Sequence, residues 1–298
     1  MSNQDTYEQV TERIVEGLKK VDSGDWEAPW DRTVGMPSNR KTGNTYSGVN
    51  VPLLWIAQIE GGYEYSEWLT YRQAQKLDGH VRKGEKGTKI ALFNTWNKDA
   101  VVDENGNIMD VDPDEVSEEE LDENNWRIKS KRLPVWKTYT VFNVEQCENI
   151  EPTQSENHDE PRQNEFENFV RQTNADIHHG SPRACYNYRA DEIQLPRFDA
   201  FDSAAGYYQT LAHELTHWTG HKSRIDRDFG RRFGKDKEKY AFEELIAELG
   251  AAFLTAKFNV GSGELKKPTQ YVKHWIEILE DDEYAIFLAS SKAKEAIQ

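Results

Sequence analysis

Apolar residues recur at spacings of three and four through residues 5–21, at Val10, Ile14, Leu18 and Val21, which is the period of an amphipathic helix. From Trp26 to Val51 the period disappears, and Ala28-Pro29, Met36-Pro37, Thr42-Gly43-Asn44 and Ser47-Gly48 predict turns and short strands. Helical character returns at 51–59 and 70–78, with Gly79 as a stop for the second. Two strand-like runs follow, Lys89 to Trp96 and Leu133 to Val144; in the second, Val135, Lys137, Tyr139 and Val141 alternate with Trp136, Thr138, Thr140 and Phe142. Between them, residues 99–123 hold twelve carboxylates and no Lys or Arg, which predicts a solvated loop with a hairpin tip at Glu104-Asn105-Gly106-Asn107.

Residues 148–164 are polar, contain Pro152 and Pro161, and lack any apolar period. They mark a linker, assigned to 151–162, between segments 1–150 and 163–298. Beyond it an amphipathic helix is expected over 163–174, on Phe166, Phe169 and Val170, then short strands at 184–188 and 192–195. Two long helices follow, over 203–219 and 238–256, and a carboxy-terminal helical region holds Tyr271 to Leu279 and Tyr284 to Ala296. Helical and strand-like segments in two blocks parted by a linker, over a length that accommodates two ordinary domains, predict an α+β, two-domain chain.

Composition narrows the function classes. The 298 residues carry 53 Asp+Glu against 37 Lys+Arg, a formal charge of −16, which disfavours a protein that coats duplex DNA by bulk electrostatics. No run approaches the roughly 18 apolar residues of a membrane span, and the start MSNQDTYEQV lacks the basic-then-apolar order of a signal peptide. A cytoplasmic chain with no membrane partner is expected. Cys147 and Cys185 form no CxxC and are expected to be free, buried thiols.

Residues 213–217 read His-Glu-Leu-Thr-His, an HExxH motif. On a helix the two histidines lie about 40° apart, so His213 and His217 can aim at one ion with Glu214 beside its water. Ala204, Tyr208, Leu211, Leu215 and Trp218 fall on the opposite side of that helix, giving it an apolar back. A catalytic site needs a third protein ligand. His221 is disfavoured, because the longer zinc motif it resembles places its third histidine where Ser223 stands. Glu244 and Glu248 lie on one face of the next long helix, beside Ala247 and Ala251 and opposite Phe242, Ile246, Leu249 and Phe253. Glu244 is assigned as the ligand and Glu248 as the residue that orients a ligand histidine; the reverse assignment stays open, and Glu243 points about 100° away. The implied chemistry is metal-assisted peptide hydrolysis on Zn2+, or Mn2+, with Glu214 as general base. Tyr240, Tyr271 and His274 are weaker candidates for an oxyanion donor.

HELTHWTGH with YAFEELIAELGAAFL resembles the zincin-like metallopeptidase domain of the ArdC-type antirestriction proteins of conjugative plasmids. NRKTGNTYSGVNVPLLW (39–55), WLTYRQAQKLDGHVRKGEKGTKI (68–90) and VFNVEQCE (141–148) resemble that family's amino-terminal domain, shared with some plasmid primases and described as binding single-stranded DNA. The resemblance implies an amino-terminal α+β nucleic-acid-binding domain over 1–150, a zincin-like, gluzincin-like domain over 163–298, and protection of incoming plasmid DNA from host restriction. The acidic insertion at 99–123 has no counterpart in the family pattern.

The first half supports a nucleic-acid partner on its own residues. Seven of nine tryptophans, Trp26, Trp30, Trp55, Trp68, Trp96, Trp126 and Trp136, lie within 1–150, and single strands bind on aromatic platforms under a basic groove. Residues 32–98 hold ten Lys+Arg against five Asp+Glu, and 126–144 hold five basic residues and no acidic one. Candidate contacts are Arg40, Lys41 and Tyr46, then Arg82, Lys83, Lys86 and Lys89 in a glycine-containing stretch, and Lys131, Arg132, Trp136 and Lys137. Trp55 and Trp68, set among apolar neighbours, are expected in the core. A second reading dispenses with catalysis: a DNA-binding shield, or an acidic decoy that engages a host restriction enzyme, with a structural metal.

Overall fold

The computed structural model describes residues 3–22, 35–105, 107, 109, 111, 116–153, 163–227, 236–261 and 269–297. The chain begins with α1 (Asn3–Asp22), whose three-four spacing buries Val10, Ile14 and Leu18. After β1 (Ser38–Asn39) comes α2 (Asn50–Gly61), nearly apolar on every side and ended by Gly62 in the left-handed region at φ +65°. Then follow β2 (Glu67–Leu69), α3 (Tyr71–Gln75), β3 (His80–Val81) and β4 (Thr88–Val102). A capping box between Thr70 and Gln73 starts α3, which stops three residues earlier than the pattern suggests because Asp78 turns left-handed at φ +59°. Next are α4 (Glu118–Glu123), β5 (Arg127–Asn143) and β6 (Cys147–Glu148).

The acidic run is not the plain loop its composition suggests. Its first residues extend β4 to Val102, and the Asp103 carboxylate then accepts the backbone N–H groups of Asn105 and Asn107. Its last residues form α4, where Ser117 and Glu120 complete a capping box. That Ser-x-x-Glu signal stands in the sequence, masked by the charge around it.

The later elements are α5 (Gln163–Thr173), β7 (Asp176–His179), β8 (Cys185–Asn187), β9 (Glu192–Leu195), α6 (Ala204–Thr219), α7 (Asp236–Phe258), α8 (Thr269–Asp281) and α9 (Ala285–Ala296). Strand β7 escapes a periodicity reading because only Ile177 is apolar among its four residues. The sheets are ordered β1-β2-β5-β4, β3-β6 and β7-β9-β8. In the third, β7 runs parallel to β9 and β8 antiparallel to it. Part of the expected linker, residues 154–162, lies outside the described residues. Cys147 is buried and free; Cys185 is also free but exposed, which corrects the expectation for it, since β8 lies at the end of its sheet.

Packing divides the chain into two compact units, one of Met1–Thr6 with Ala91–Tyr139 and one of Tyr7–Ile90 with Thr140–Gln298. The larger unit unites sequence from both halves. Trp55 of α2 packs on Phe253 of α7 with ring centroids 5.9 Å apart, Tyr7 meets Phe287 edge-on at 4.9 Å, and the Thr11 hydroxyl donates to the Glu283 carbonyl at 2.6 Å. Trp55 and Trp68 are 1% and 0% exposed, as their apolar neighbours imply. Helix α7 is the central element: Phe242, Leu245, Ile246, Ala247, Leu249, Ala251, Ala252, Phe253 and Leu254 are all buried, the mark of a helix covered on every side.

Helices α6 and α7 approach closely at Gly250, where an added Cβ would stand 2.5 Å from the Thr216 methyl carbon. Thr216 is itself locked, its hydroxyl donating to the Ala212 carbonyl at 2.8 Å. A Gly250→Leu substitution is expected to cost roughly 1–3 kcal/mol through overpacking, read as a lower Tm. An unchanged Tm would show that the helices are free to move apart.

Candidate metal centre

Ser203 caps α6, its hydroxyl accepting the Gly206 N–H at 3.1 Å. Tyr208, Leu211 and Leu215 are buried on one side of that helix, which presents His213, Glu214 and His217 towards β8 and α7. Helices α6 and α7 run antiparallel along this seam: His213 pairs with Glu248, and His217, one turn on, pairs with Glu243 and Glu244.

Each imidazole has a carboxylate on either side. His213 places Nδ1 3.3 Å from Glu248 Oε1 and Nε2 3.5 Å from Glu244 Oε2. His217 places Nδ1 3.2 Å from Glu243 Oε1 and Nε2 3.5 Å from Glu244 Oε1. The two Nε2 atoms are 3.1 Å apart. With each Nδ1 proton given to a carboxylate, both Nε2 lone pairs face the Glu244 oxygens, so acceptors converge on one point. Acceptors at that spacing repel one another unless positive charge lies among them. Ligands held about 2.0–2.1 Å from zinc stand about 3.3 Å apart at tetrahedral angles, and the 3.1 and 3.5 Å separations fit that spacing. His213, His217 and Glu244 are thus a donor set that suits a divalent ion of this size, with their ligand atoms all within 4.8 Å of one another.

The electrostatics agree with a cage built for positive charge. Burial alone would discharge His213, but the Glu248 and Glu244 carboxylates push its pKa well above the usual range; His217 is raised against burial by Glu243 and Glu244. Glu244 is 7% exposed, and burial opposes its charge, yet the two imidazoles beside it, when protonated, hold it far below the normal carboxylate range. Glu214 differs. Burial raises its pKa, the two nearby histidines temper the rise, and the backbone N–H of Tyr186 on β8 donates to it. A buried carboxyl with an elevated pKa beside this donor set is suited to carrying a proton.

Glu243 is the residue that helical geometry alone misplaces. A position about 100° off the Glu244 face nonetheless meets His217, because that histidine sits at the end of α6, where the chain turns back past α7. His221 is not brought to the cage: its Nδ1 lies 2.8 Å from the Ser223 hydroxyl and 3.7 Å from Asp191, under the Tyr188 ring. Asp191, drawn down to about pKa 2 chiefly by the Arg224 guanidinium, ties the β8–β9 turn to the segment after α6. Tyr240 is 55% exposed on α7, His274 lies on α8, and the Tyr271 side chain is outside the described residues. A second group of ligand types, Asp176, His178 and Glu192, lies on the face of the third sheet, with His178 and Asp176 open to solvent.

The basic candidates of the first half divide by what they already do. Arg40 donates to the Glu151 carbonyl at 2.9 Å and approaches Glu67 at 3.7 Å. Tyr46 packs on the cluster of Leu54, Trp68, Ile90 and Val141, with its hydroxyl on Asn39. Arg82 pairs with Glu85, which also accepts from Gln146, and Lys89 donates to Gln9. Lys41, Lys83, Lys86 and Lys137 are exposed. The side chains of Lys131, Arg132 and Trp136 lie outside the described residues.

Two family models match the chain: the N-terminal domain of anti-restriction factor ArdC over residues 4–142 and a zincin-like metallopeptidase over residues 164–292. Protein y4eC of Sinorhizobium fredii (strain NBRC 101917 / NGR234) is 34% identical over 295 residues, covering 98% of this chain and 90% of that protein. A DNA primase TraC of Escherichia coli is 34% identical over 296 residues, 97% of this chain but only 26% of the primase. Among solved structures, the metal-free antirestriction ArdC protein from plasmid R388 superposes with a TM-score of 0.75 at 39% identity, covering 98% of this chain and 95% of that one. Its Mn(II)-bound form gives a TM-score of 0.71 at 38% identity, with the same coverage.

Proposed function

The chain belongs to the ArdC-type antirestriction proteins, and from that membership we propose that it protects incoming plasmid DNA by combining single-strand binding in its first half with a metal-dependent peptidase site in its second. The observation that carries the catalytic part is the convergence of His213 Nε2, His217 Nε2 and Glu244, with the buried Glu214 carboxyl beside them. A bound Zn2+ or Mn2+ supplies Lewis acidity there, making water acidic near neutral pH and polarising the scissile carbonyl. Nitrogen and carboxylate donors without a thiolate suit either ion.

The protein's own groups do the remaining work. Glu214 takes the proton of the attacking water and returns it to the leaving amine, while the Tyr186 N–H keeps its carboxyl turned to the site. Glu248 and Glu243 hold the Nδ1 protons of His213 and His217, fixing both tautomers and ring orientations. Whether the metal-loaded chain cleaves an unfolded protein, and its Glu214→Gln variant does not, tests this half of the reading.

For the other half, Lys83 and Lys86 are among the candidate charges that stand exposed and open to phosphate, with Lys41 and Lys137, whereas Arg40 and Arg82 are engaged within the protein. The full chain is expected to bind a labelled oligothymidylate with log K falling against log salt by about 0.7 per phosphate neutralised. A Lys83→Glu, Lys86→Glu double variant should bind more weakly and show a shallower slope, measured by fluorescence anisotropy. Equal preference for duplex, or affinity indifferent to salt, would sink the single-strand assignment.

A further inference from the structure

Behind Glu243 stands an arginine that helix-face reasoning does not single out. The Arg227 side chain is 1% exposed. It donates from Nη2 to Glu243 Oε1 at 2.5 Å and from Nε to Glu243 Oε2 at 3.1 Å, a two-point fork on one carboxylate. Nη2 also donates to the Thr216 carbonyl at 2.6 Å, and Nη1 donates to the Thr219 hydroxyl at 2.7 Å. One guanidinium therefore satisfies groups at the end of α6 and grips the carboxylate on α7 that meets His217.

Gly220 makes the room for it. A Cβ there would stand 2.7 Å from Arg227 Nη2 and 2.9 Å from Cζ. Its φ of −72° is open to any residue, so space under the guanidinium, and not backbone freedom, is what requires glycine. The Gly that ends the motif-bearing helix thereby also admits Arg227.

The terminal torsion of a glutamate is soft, and a single contact to an imidazole does not set its plane. A forked guanidinium does. With that plane set, Oε1 is 3.2 Å from His217 Nδ1, and the ring is held with Nε2 towards His213 and Glu244. We propose that Arg227 is a positioning residue for the metal: it orients Glu243 and, through it, the ligand His217, so that affinity for a divalent ion depends on a side chain that bonds neither the ion nor the imidazole. This rests on the metal-site reading above. Charge and position make opposite predictions. A nearby cation repels a metal ion, so if charge dominated, removing Arg227 would tighten binding; if orientation dominates, removal weakens it.

The test is calorimetric titration of the chelator-stripped full-length chain with Mn(II) chloride. Relative to wild type, Arg227→Met is expected to weaken binding about 10-fold or more, the lower end of the range for lost outer partners of a ligand. Glu243→Gln should match or exceed that loss, and adding Arg227→Met to it should cost less than about threefold more, because both act through one contact. Arg224→Met serves as the control: it disturbs the same segment but loses bonds to Asp191 and the Trp218 carbonyl, and should leave Mn(II) affinity within about threefold. The rise in Tm on adding Mn(II) should shrink in Arg227→Met, whereas a merely structural arginine would lower Tm with and without metal alike. If Arg227→Met does not fold, Gly220→Ala displaces the guanidinium more gently and should weaken Mn(II) binding; full affinity there overturns the proposal. Unchanged or tighter binding by Arg227→Met, additive losses in the double variant, or an equal loss in Arg224→Met also overturn it. Failure of the wild-type chain to bind Mn(II) is a separate outcome, which removes the metal-site reading itself.

Discussion

Glu214→Gln is expected to leave Mn(II) or Zn(II) binding within a fewfold of wild type and to reduce peptide hydrolysis by about 10²–10⁴-fold, the usual worth of a positioned general base. The glutamine keeps the size of a side chain that is 8% exposed and still meets the Tyr186 N–H, so packing is preserved while the ability to accept a proton is lost. Calorimetry with Mn(II) and gel-based cleavage of an unfolded protein substrate, with and without chelator, read the two effects separately. The same variant discriminates between the functional readings in a conjugation assay against a restricting host. If protection needs proteolysis, it falls with the cleavage rate. If protection persists undiminished, the catalytic account of antirestriction is wrong, and the shield or decoy reading gains, supported by the exposed carboxylates Glu119, Glu120, Asp122 and Glu123 on α4.

His217→Ala should abolish stoichiometric metal binding, with affinity falling by more than about 100-fold, beyond the 10–100-fold typical of an outer partner. The variant removes one of three converging ligands, and the loss of that donor outweighs the added pull on a cation of the Glu243 and Glu244 carboxylates, which lose their imidazole partner. Glu244→Ala should lose metal to a similar degree, whereas Glu248→Ala, which deprives His213 of its Nδ1 partner, should fall within the outer-partner range. The reverse order, with Glu248→Ala losing the metal and Glu244→Ala retaining it, would exchange the roles of the two carboxylates. Metal content after dialysis and the Mn(II)-induced shift in Tm give independent readings.

Much of this protein is legible in one dimension because its signals are local. Three-four spacing marks α1 and α5 and gives α6 its apolar back; alternation marks the inner part of β5; and the five residues from His213 to His217 bring two imidazoles and a carboxylate together at the spacing of one turn. Strand β7 and helix α4 evade the same reading for opposite reasons. The strand has too few apolar residues to show a period, and the helix is so acidic that its Ser117–Glu120 cap is overlooked.

The donor chemistry was therefore set by the sequence itself: HExxH on a helix with an apolar back, and carboxylates spaced four apart on the next long helix. Which carboxylate meets which nitrogen was decided only by tertiary structure. That depends on the antiparallel seam of α6 and α7 and on the close approach at Gly250, neither of which a helical wheel contains. The same holds for Arg227 and Glu243, sixteen residues apart in the chain and joined by a fork, and for Trp55 and Phe253, which put both halves of the chain into one core. Periodicity reports how a segment faces itself. Contacts between segments depend on crossing angle and depth, and these are determined only when the helices pack.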